Sequence, residues 1–188
     1  TNEINRLLVP STYLRKAMKG ELPLLEKAQG LQEELMMFMP EEPSSEPLAL
    51  QKYLVNNAKK IALLAAGLAV QKYGEKLEHE QEILVNFADI VSHVYAMESA
   101  VLRTEKAIER DGLDKHKQKL LYTEIFCQEA FNKIEQDAKE TIIAVNEGDT
   151  LRMMLSVLRK LTRHTPVNVI PKKREAADAV IAAAKYIV

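Results

Sequence analysis

Residues 48–73 read LALQKYLVNNAKKIALLAAGLAVQKY, and this stretch decides the fold. Its larger side chains recur at steps of three and four, which places them on one face of a helix: Leu50, Leu54, Asn57, Ile61, Leu64 and Leu68. Alanines and Gly67 fill much of the remaining surface, and small residues let neighbouring helices approach closely. The stretch therefore predicts a central helix, packed on several sides and ending at Gly74.

Two longer helical patterns follow the central stretch, at about 80–110 and 115–145. The connector near 111–114 is short, and short connectors make consecutive helices antiparallel. A sixth helix is predicted behind Asp149-Thr150, with Thr150 as its N-cap, and a seventh is predicted to open at Pro171. No run has the alternation typical of a strand. The sequence predicts an all-α, up-down bundle of long antiparallel helices with an extra N-terminal helical segment.

The N-terminal segment divides into two helical stretches and a linker. The first stretch runs from Thr1 to about Lys19, and Pro10 predicts a kink or a restart within it. The second covers 24–38 and leads into the acidic, proline-rich residues 40–47, which predict a linker. The predicted units are a terminal helix at 1–22, a helix and linker at 23–47, and the bundle at 48–188.

Composition excludes several classes of protein. The formal net charge is -1, so no basic excess is available to bind nucleic acid non-specifically. A single cysteine, Cys127, favours a reducing, cytoplasmic setting. The longest apolar run, Ile61 to Val70, is about half of the roughly 20 residues that a membrane-spanning helix needs.

Catalytic and metal-binding patterns are largely missing from the sequence. No histidine has an acidic residue three positions before it, so the Glu-x-x-His signature of di-metal bundles is absent. Asp89 and His93 are one turn apart, and we interpret them as a surface or supporting contact. Cys127 lies on an apolar stripe and is interpreted as a small buried hydrophobe.

Two clusters allow more than one interpretation. Met36–Met39, together with Leu31 and Leu35, either packs on the bundle or a partner subunit, or rests on a membrane surface. The basic run 172–174 is interpreted as a solvated face of the last helix.

The opening residues Thr1-Asn2-Glu3-Ile4-Asn5-Arg6-Leu7-Leu8 resemble the segment that follows the catalytic glutamate in acyl-CoA dehydrogenases. In that family the stretch reads Tyr-Glu-Gly-Thr-Asn/Ser-Glu-Ile, with an arginine two residues later. The specific resemblance extends to about Glu21. The long helical remainder is similar in length and character to the C-terminal part of the very-long-chain type.

The resemblance implies a flavoenzyme of fatty acid β-oxidation that removes hydrogen from the α and β carbons of an acyl-CoA. It implies that Thr1, Asn2 and Glu3 contact FAD and that the general base lies upstream of Thr1. We therefore expect this chain alone to hold no FAD and to be inactive. It also implies, as partners, upstream catalytic domains of the same polypeptide, a second copy in a homodimer, an electron-transferring flavoprotein and a membrane surface. A eukaryotic member would be mitochondrial.

Two other functions remain open from the residues alone. One is a free-standing, non-enzymatic helical interaction scaffold. The other is an independent bundle enzyme with its own metal site, which the missing Glu-x-x-His pairs make a poor fit.

Overall fold

The computed structural model describes residues 1–23, 26–27, 30–31, 34–35, 39–40, 42–185 and 187, except for the side chain of Met18. This part of the chain forms the α-helices α1 (Asn2–Met18), α2 (Ala49–Tyr73), α3 (Gln81–Asp111), α4 (Lys117–Val145), α5 (Gly148–Thr162) and α6 (Val169–Ala183). Short 3-10 helices at Gly74–His79 and Leu113–His116 join α2 to α3 and α3 to α4. The described residues contain no strand, which confirms the predicted all-α class.

Ion pairs and hydrogen bonds between the helices fix their directions. Lys52 pairs with Glu105 and Lys59 with Glu98, so residue numbers rise along α2 as they fall along α3. The hydroxyls of Thr104 and Thr123 lie 2.7 Å apart between α3 and α4. The imidazole of His116 lies 3.1 Å from the Asp111 carboxylate at the turn that joins these two helices. The antiparallel, up-down arrangement is therefore confirmed.

The core of the bundle lies between α2, α3 and α4, and α5 closes it. Its largest fully buried apolar side chains come from all four helices: Leu54, Ile61, Ile90, Met97, Phe131, Ile134, Ile142 and Leu161. Removing apolar area from water stabilises a fold by about 25 cal/mol per Å², so these stripes supply the main driving force for packing.

The predicted helix ends at Gly74 and Gly112 are confirmed. Both glycines have positive φ, 54° and 87°, which is the conformation that glycine adopts most readily at a helix end. At Gly112 the backbone N–H donates to the carbonyl of Ile108 at 2.8 Å, which satisfies one carbonyl of the last turn of α3.

Two predicted helix starts are wrong by about two residues. Helix α5 begins at Gly148 rather than after Thr150, and the residue before it, Glu147, makes no side-chain cap. Helix α6 begins at Val169, because the Asn168 side chain accepts a hydrogen bond from the backbone of Ile170 at 3.2 Å. Pro171 then falls inside the first turn, where its missing N–H needs no helix partner.

Helix α1 runs unbroken through Pro10, so the predicted restart does not occur. Pro10 is fully buried. The hydroxyl of Ser11 donates to the carbonyl of Leu7 at 2.8 Å, which supplies a donor to the turn that the proline disrupts. Burial of Pro10 against the bundle keeps the helix continuous although the Pro10 N–H is missing.

The second predicted helix, 24–38, is only partly described, and its described positions are helical. Leu31 and Leu35 are buried in the core, which agrees with packing on the bundle and removes these two residues from any lipid-facing surface. Met36, Met37 and Phe38 lie outside the described residues. Residues 42–44 of the linker carry no helix or strand, as predicted, and the domain boundaries at 22 and 47 remain a prediction.

Candidate functional site

The first turn of α1 exposes hydrogen-bond donors at the N-terminal end of a helix. The backbone N–H of Asn5 donates to the carbonyl of Thr1 at 2.9 Å, and the Thr1 side chain makes no cap. Thr1, Asn2 and Glu3 are all exposed. The N–H groups ahead of Asn5 have no carbonyl within the helix, and the helix dipole makes this end favourable for anions.

Arg6 joins this first turn to the bundle through two carboxylates. Its Nη1 donates to the two carboxylate oxygens of Glu3 at 3.1 and 3.2 Å. On its other side, Nε donates to Oδ1 of Asp89 at 2.9 Å, and Nη2 donates to Oδ2 of the same residue. A planar guanidinium that meets a carboxylate with two parallel bonds fixes orientation as well as distance.

One cation, Arg6, lies between the carboxylates of Glu3 and Asp89 at this end of α1. The pKa of Arg6 is raised above its ordinary value, chiefly by its hydrogen bond with Asp89 and further by the charges of Asp89 and Glu3. Arg6 is therefore a fixed cation at working pH. It offsets part of the negative charge of Glu3 and Asp89, so this end of the helix repels an incoming anion less than two unpaired carboxylates would.

Helix α4 adds a further ion pair to the same region. Lys133 donates to Oδ1 of Asp137 at 2.6 Å, and this hydrogen bond is the chief cause that raises the pKa of Lys133. The negative charges of Asp137, Glu140 and Asp89 also raise that pKa. Lys133 is thus close enough to both Asp89 on α3 and Asp137 on α4 for their charges to act on it.

The rest of α1 packs on the bundle through apolar contacts. The rings of Tyr13 and Phe87 meet edge to face, with centroids 5.9 Å apart. Beside them lies an apolar cavity of about 100 Å³ between α1, α2 and α3, lined in part by Pro10 and Gly67. The predicted small-residue surface of the central helix therefore faces α1.

The opposite face of α1 is also apolar, and it is open. Ile4 is 67% exposed and Leu8, one turn later, is 58% exposed. A helix that is apolar on two faces is typical of one that lies between two bodies, because an isolated surface helix keeps its outer face polar.

The other residues considered from the sequence have structural roles. The Asp89 carboxylate binds Arg6, while Nδ1 of His93 lies 2.8 Å from the Asp89 backbone oxygen. Cys127 is fully buried, and this burial raises its pKa to about 12, as expected for an inert core thiol. Among the described residues, no group of His, Cys, Asp and Glu is arranged to hold a metal ion.

The basic run at 172–174 is largely a solvated face, as interpreted: Lys173 and Arg174 are exposed, and Lys172 is partly buried. Lys172 binds the Glu124 carboxylate at 2.6 Å, and Lys173 binds Glu129. Helix α6 has no fully buried residue, so these pairs with α4 help to hold it in place.

Sequence inspection missed the contact between Arg6 and Asp89, which joins residues 83 positions apart. In the sequence, Arg6 is part of the opening motif and Asp89 is one helical turn before His93. No periodic signal could have paired them, because the pattern on each helix reports its buried face and not its partner.

The part of the chain that the structure describes contains no helix with both the length and the hydropathy needed to span a bilayer.

Comparisons with known proteins give a consistent result. Residues 57–160 match the family described as "Acyl-CoA dehydrogenase, C-terminal domain". The whole chain is 72% identical to a "Probable acyl-CoA dehydrogenase" of Bacillus subtilis (strain 168), and it spans 32% of that protein's length.

A solved structure extends this similarity to three dimensions. It is the crystal structure of an acyl-CoA dehydrogenase complexed with FAD from Bacillus anthracis, which is 74% identical to this chain. The similarity covers 100% of this chain and 32% of the larger one, with a TM-score of 0.96. All of the helices described above thus have counterparts, similarly arranged, within a larger flavin-binding protein.

Proposed function

Because this chain belongs to the family of acyl-CoA dehydrogenase C-terminal domains, we propose that it is the C-terminal helical part of an FAD-dependent acyl-CoA dehydrogenase. The observation that carries this proposal is the full-length overlap with the FAD-complexed enzyme, at a TM-score of 0.96 and 74% identity. At that identity, side chains as well as helices are largely shared. The subgroup we propose is the very-long-chain type, on the basis of the long helical bundle that follows α1.

The first turn of α1 is the proposed contact with FAD. Thr1, Asn2 and Glu3 are exposed, and the first-turn N–H groups are free of helix partners. These donors suit the polar and phosphate parts of a dinucleotide. The donors therefore fit the cofactor in their chemistry, and the contact between Arg6 and Glu3 reduces the repulsion between the Glu3 carboxylate and a phosphate.

The two apolar faces of α1 support its position between two bodies. One face packs on α3 and the cavity, and the other presents Ile4 and Leu8 outward. The overlap covers 32% of the length of the larger relatives, so the rest of each relative is about twice as long as this chain. We propose that the flavin-binding core of the full-length protein covers this outer face.

The chain's share of the reaction is indirect in this proposal. FAD accepts the hydride when bound, and the base that removes the α-proton lies in the flavin-binding core rather than among these residues. This chain closes one side of the cofactor site with α1 and supports it with the bundle. Alone, it should neither retain FAD nor oxidise an acyl-CoA.

The test compares FAD retention by the full-length polypeptide, by this chain alone and by single variants of the full-length form. Removing the Thr1 hydroxyl as Thr1→Val should weaken FAD binding by about two- to twelvefold, which corresponds to one hydrogen bond of about 0.5–1.5 kcal/mol. Thr165→Val is the matched control, because Thr165 is likewise exposed and lies outside α1. Gel filtration followed by flavin absorbance gives the measurement. A flavin-loaded preparation of this chain alone, or equal FAD affinity of Thr1→Val and the wild type, would contradict the proposal.

The proposal extends to three partners of the full-length enzyme. The first is a second copy of the chain, because the bundle supports a homodimer. The second is an electron-transferring flavoprotein, which reoxidises the flavin. The third is a lipid surface, on which the region around Met39 rests; the Met39 side chain is 80% exposed. Sedimentation equilibrium tests the first, and flavin reoxidation by the purified flavoprotein tests the second. Co-sedimentation with liposomes tests the third, which fails if no protein pellets with the lipid.

A further inference from the structure

Arg6 makes the hydrogen bonds that fix the direction of the exposed first turn of α1. The residues from Thr1 to Asn5 are all exposed, so packing on the described residues does little to orient them. Arg6 is half-buried and donates to carboxylates on both sides, Glu3 within the helix and Asp89 on α3. The geometry points to Arg6 and Asp89 as positioning residues, which aim Thr1–Glu3 at the cofactor. This inference rests on the function proposed above.

The Asp89 carboxylate is well placed for this role. It is only 24% exposed, and both of its oxygens accept from one guanidinium. Two parallel hydrogen bonds prevent the arginine from rotating about a single contact. Since Glu3 and Arg6 lie on the same helix, their contact moves with the first turn, and a movement of that turn relative to α3 would have to break both bonds to Asp89.

Helix α4 adds a further cation near Asp89. Lys133 donates to Asp137, whose side chain is 2% exposed, and it lies close enough to Asp89 for the two charges to attract. The hydrogen bonds that fix the Asp89 carboxylate are those with Arg6, so the contact between α1 and α3 carries the orientation.

Charge alone does not account for this arrangement. Other ion pairs also join neighbouring helices, such as Lys59 with Glu98 between α2 and α3 and Lys173 with Glu129 between α4 and α6, and these use a lysine. The contact between the first turn of α1 and the bundle uses an arginine instead. The planar guanidinium constrains the direction of its hydrogen bonds, whereas a lysine supplies only a point charge. Replacing Arg6 by lysine should therefore keep most of the stability and lose the alignment.

The experiment uses the full-length holoenzyme with Arg6→Lys, Asp89→Asn, the double variant and Glu98→Gln. The control Glu98→Gln removes a carboxylate from the same helix, and that carboxylate pairs with α2 instead of α1. Each protein is measured for the FAD dissociation constant, the flavin absorbance and circular dichroism bands at saturating FAD, and Tm.

We expect Arg6→Lys and Asp89→Asn each to weaken FAD binding by about tenfold and to alter the flavin circular dichroism bands even at saturation. The double variant should be little worse than either single one, since both remove the same contact. Glu98→Gln should leave the flavin bands and the FAD affinity unchanged. If Asp89→Asn does not fold, the comparison of Arg6→Lys with Glu98→Gln decides alone.

The inference is overturned if Arg6→Lys and Asp89→Asn keep wild-type flavin bands and affinity, or if their effects simply follow Tm as in Glu98→Gln. Failure of the proposed function has a different signature. In that case the wild-type full-length protein itself would hold no FAD, whatever its Arg6 and Asp89.

Discussion

The hydrogen bond from Asn57 to the end of α5 gives the sharpest test of how this bundle is held together. Asn57 is 2% exposed, although it lies on the apolar face of α2. Its Nδ2 donates to the carbonyl of Leu161 at 2.9 Å. Leu161 lies in the last turn of α5, where carbonyls have no partner within the helix, so the asparagine caps a buried helix end.

Substituting Asn57→Leu keeps the number and branching of the side-chain heavy atoms and removes the donor. The Leu161 carbonyl is then buried without a partner, which costs about 1–3 kcal/mol. For a chain of this size that loss corresponds to a decrease in Tm of about 2–12 °C. Tyr53→Phe is the matched control, because the Tyr53 hydroxyl donates to the Arg163 carbonyl at 3.1 Å between the same two helices but in the presence of solvent. Water replaces that bond, and the control should change stability by less than about 0.5 kcal/mol.

Equilibrium urea unfolding, followed by far-ultraviolet circular dichroism, measures both variants. The slope with urea should stay constant, so that the midpoint reports the free energy of unfolding. An Asn57→Leu protein as stable as the wild type, or a Tyr53→Phe protein destabilised to the same degree, would show that burial of the carbonyl does not set the cost.

Two further predictions concern helix geometry and pH. Gly67 lies in the interior of α2 and lines the apolar cavity, so Gly67→Ala should stabilise the chain by about 1 kcal/mol in thermal or urea unfolding. Gly74→Ala is its control and should destabilise the chain, because Gly74 has a φ of 54°. A change in stability of the same sign at both positions would refute the reasoning. The pKa of Asp111 is lowered from 3.8 to about 2, chiefly by its hydrogen bond with Arg110 and then by the bond with His116. A carboxyl with a lowered folded-state pKa contributes stability above its unfolded pKa and loses it as the pH falls through the folded value. Asp111→Asn should therefore be less stable than the wild type above a pH of about 4. The free energies of unfolding of the two proteins, measured with urea at each pH, should converge as the pH falls toward about 2. A difference in free energy that stays constant with pH would count against the prediction.

The positions of the helices followed from local pattern. Steps of three and four placed the buried face of α2 correctly at Leu54, Ile61, Leu64 and Leu68. Glycines marked the ends of α2 and α3, where positive φ is required. These features depend on residues within a few turns of one another, so the sequence contains them in full. The errors came where competing local signals were close together, as at Asn168 and Pro171.

The candidate site at Thr1–Glu3 came from resemblance to a family and not from physical pattern. A solvent-exposed helix start is common, and nothing in residues 1–3 by themselves distinguishes a flavin contact from an ordinary first turn. The larger protein supplies most of what would surround that turn.

The sequence by itself determined that this chain is a helical bundle, where most of its helices lie and which faces they bury. Only the tertiary structure decided the partners: Asn57 with Leu161, 104 positions away, and Arg6 with Asp89, 83 positions away. Helical periodicity reports that a face is buried, but it carries no record of the surface that buries it. A polar residue on such a face acquires its role only when the packing brings a specific carbonyl or carboxylate within hydrogen-bond distance.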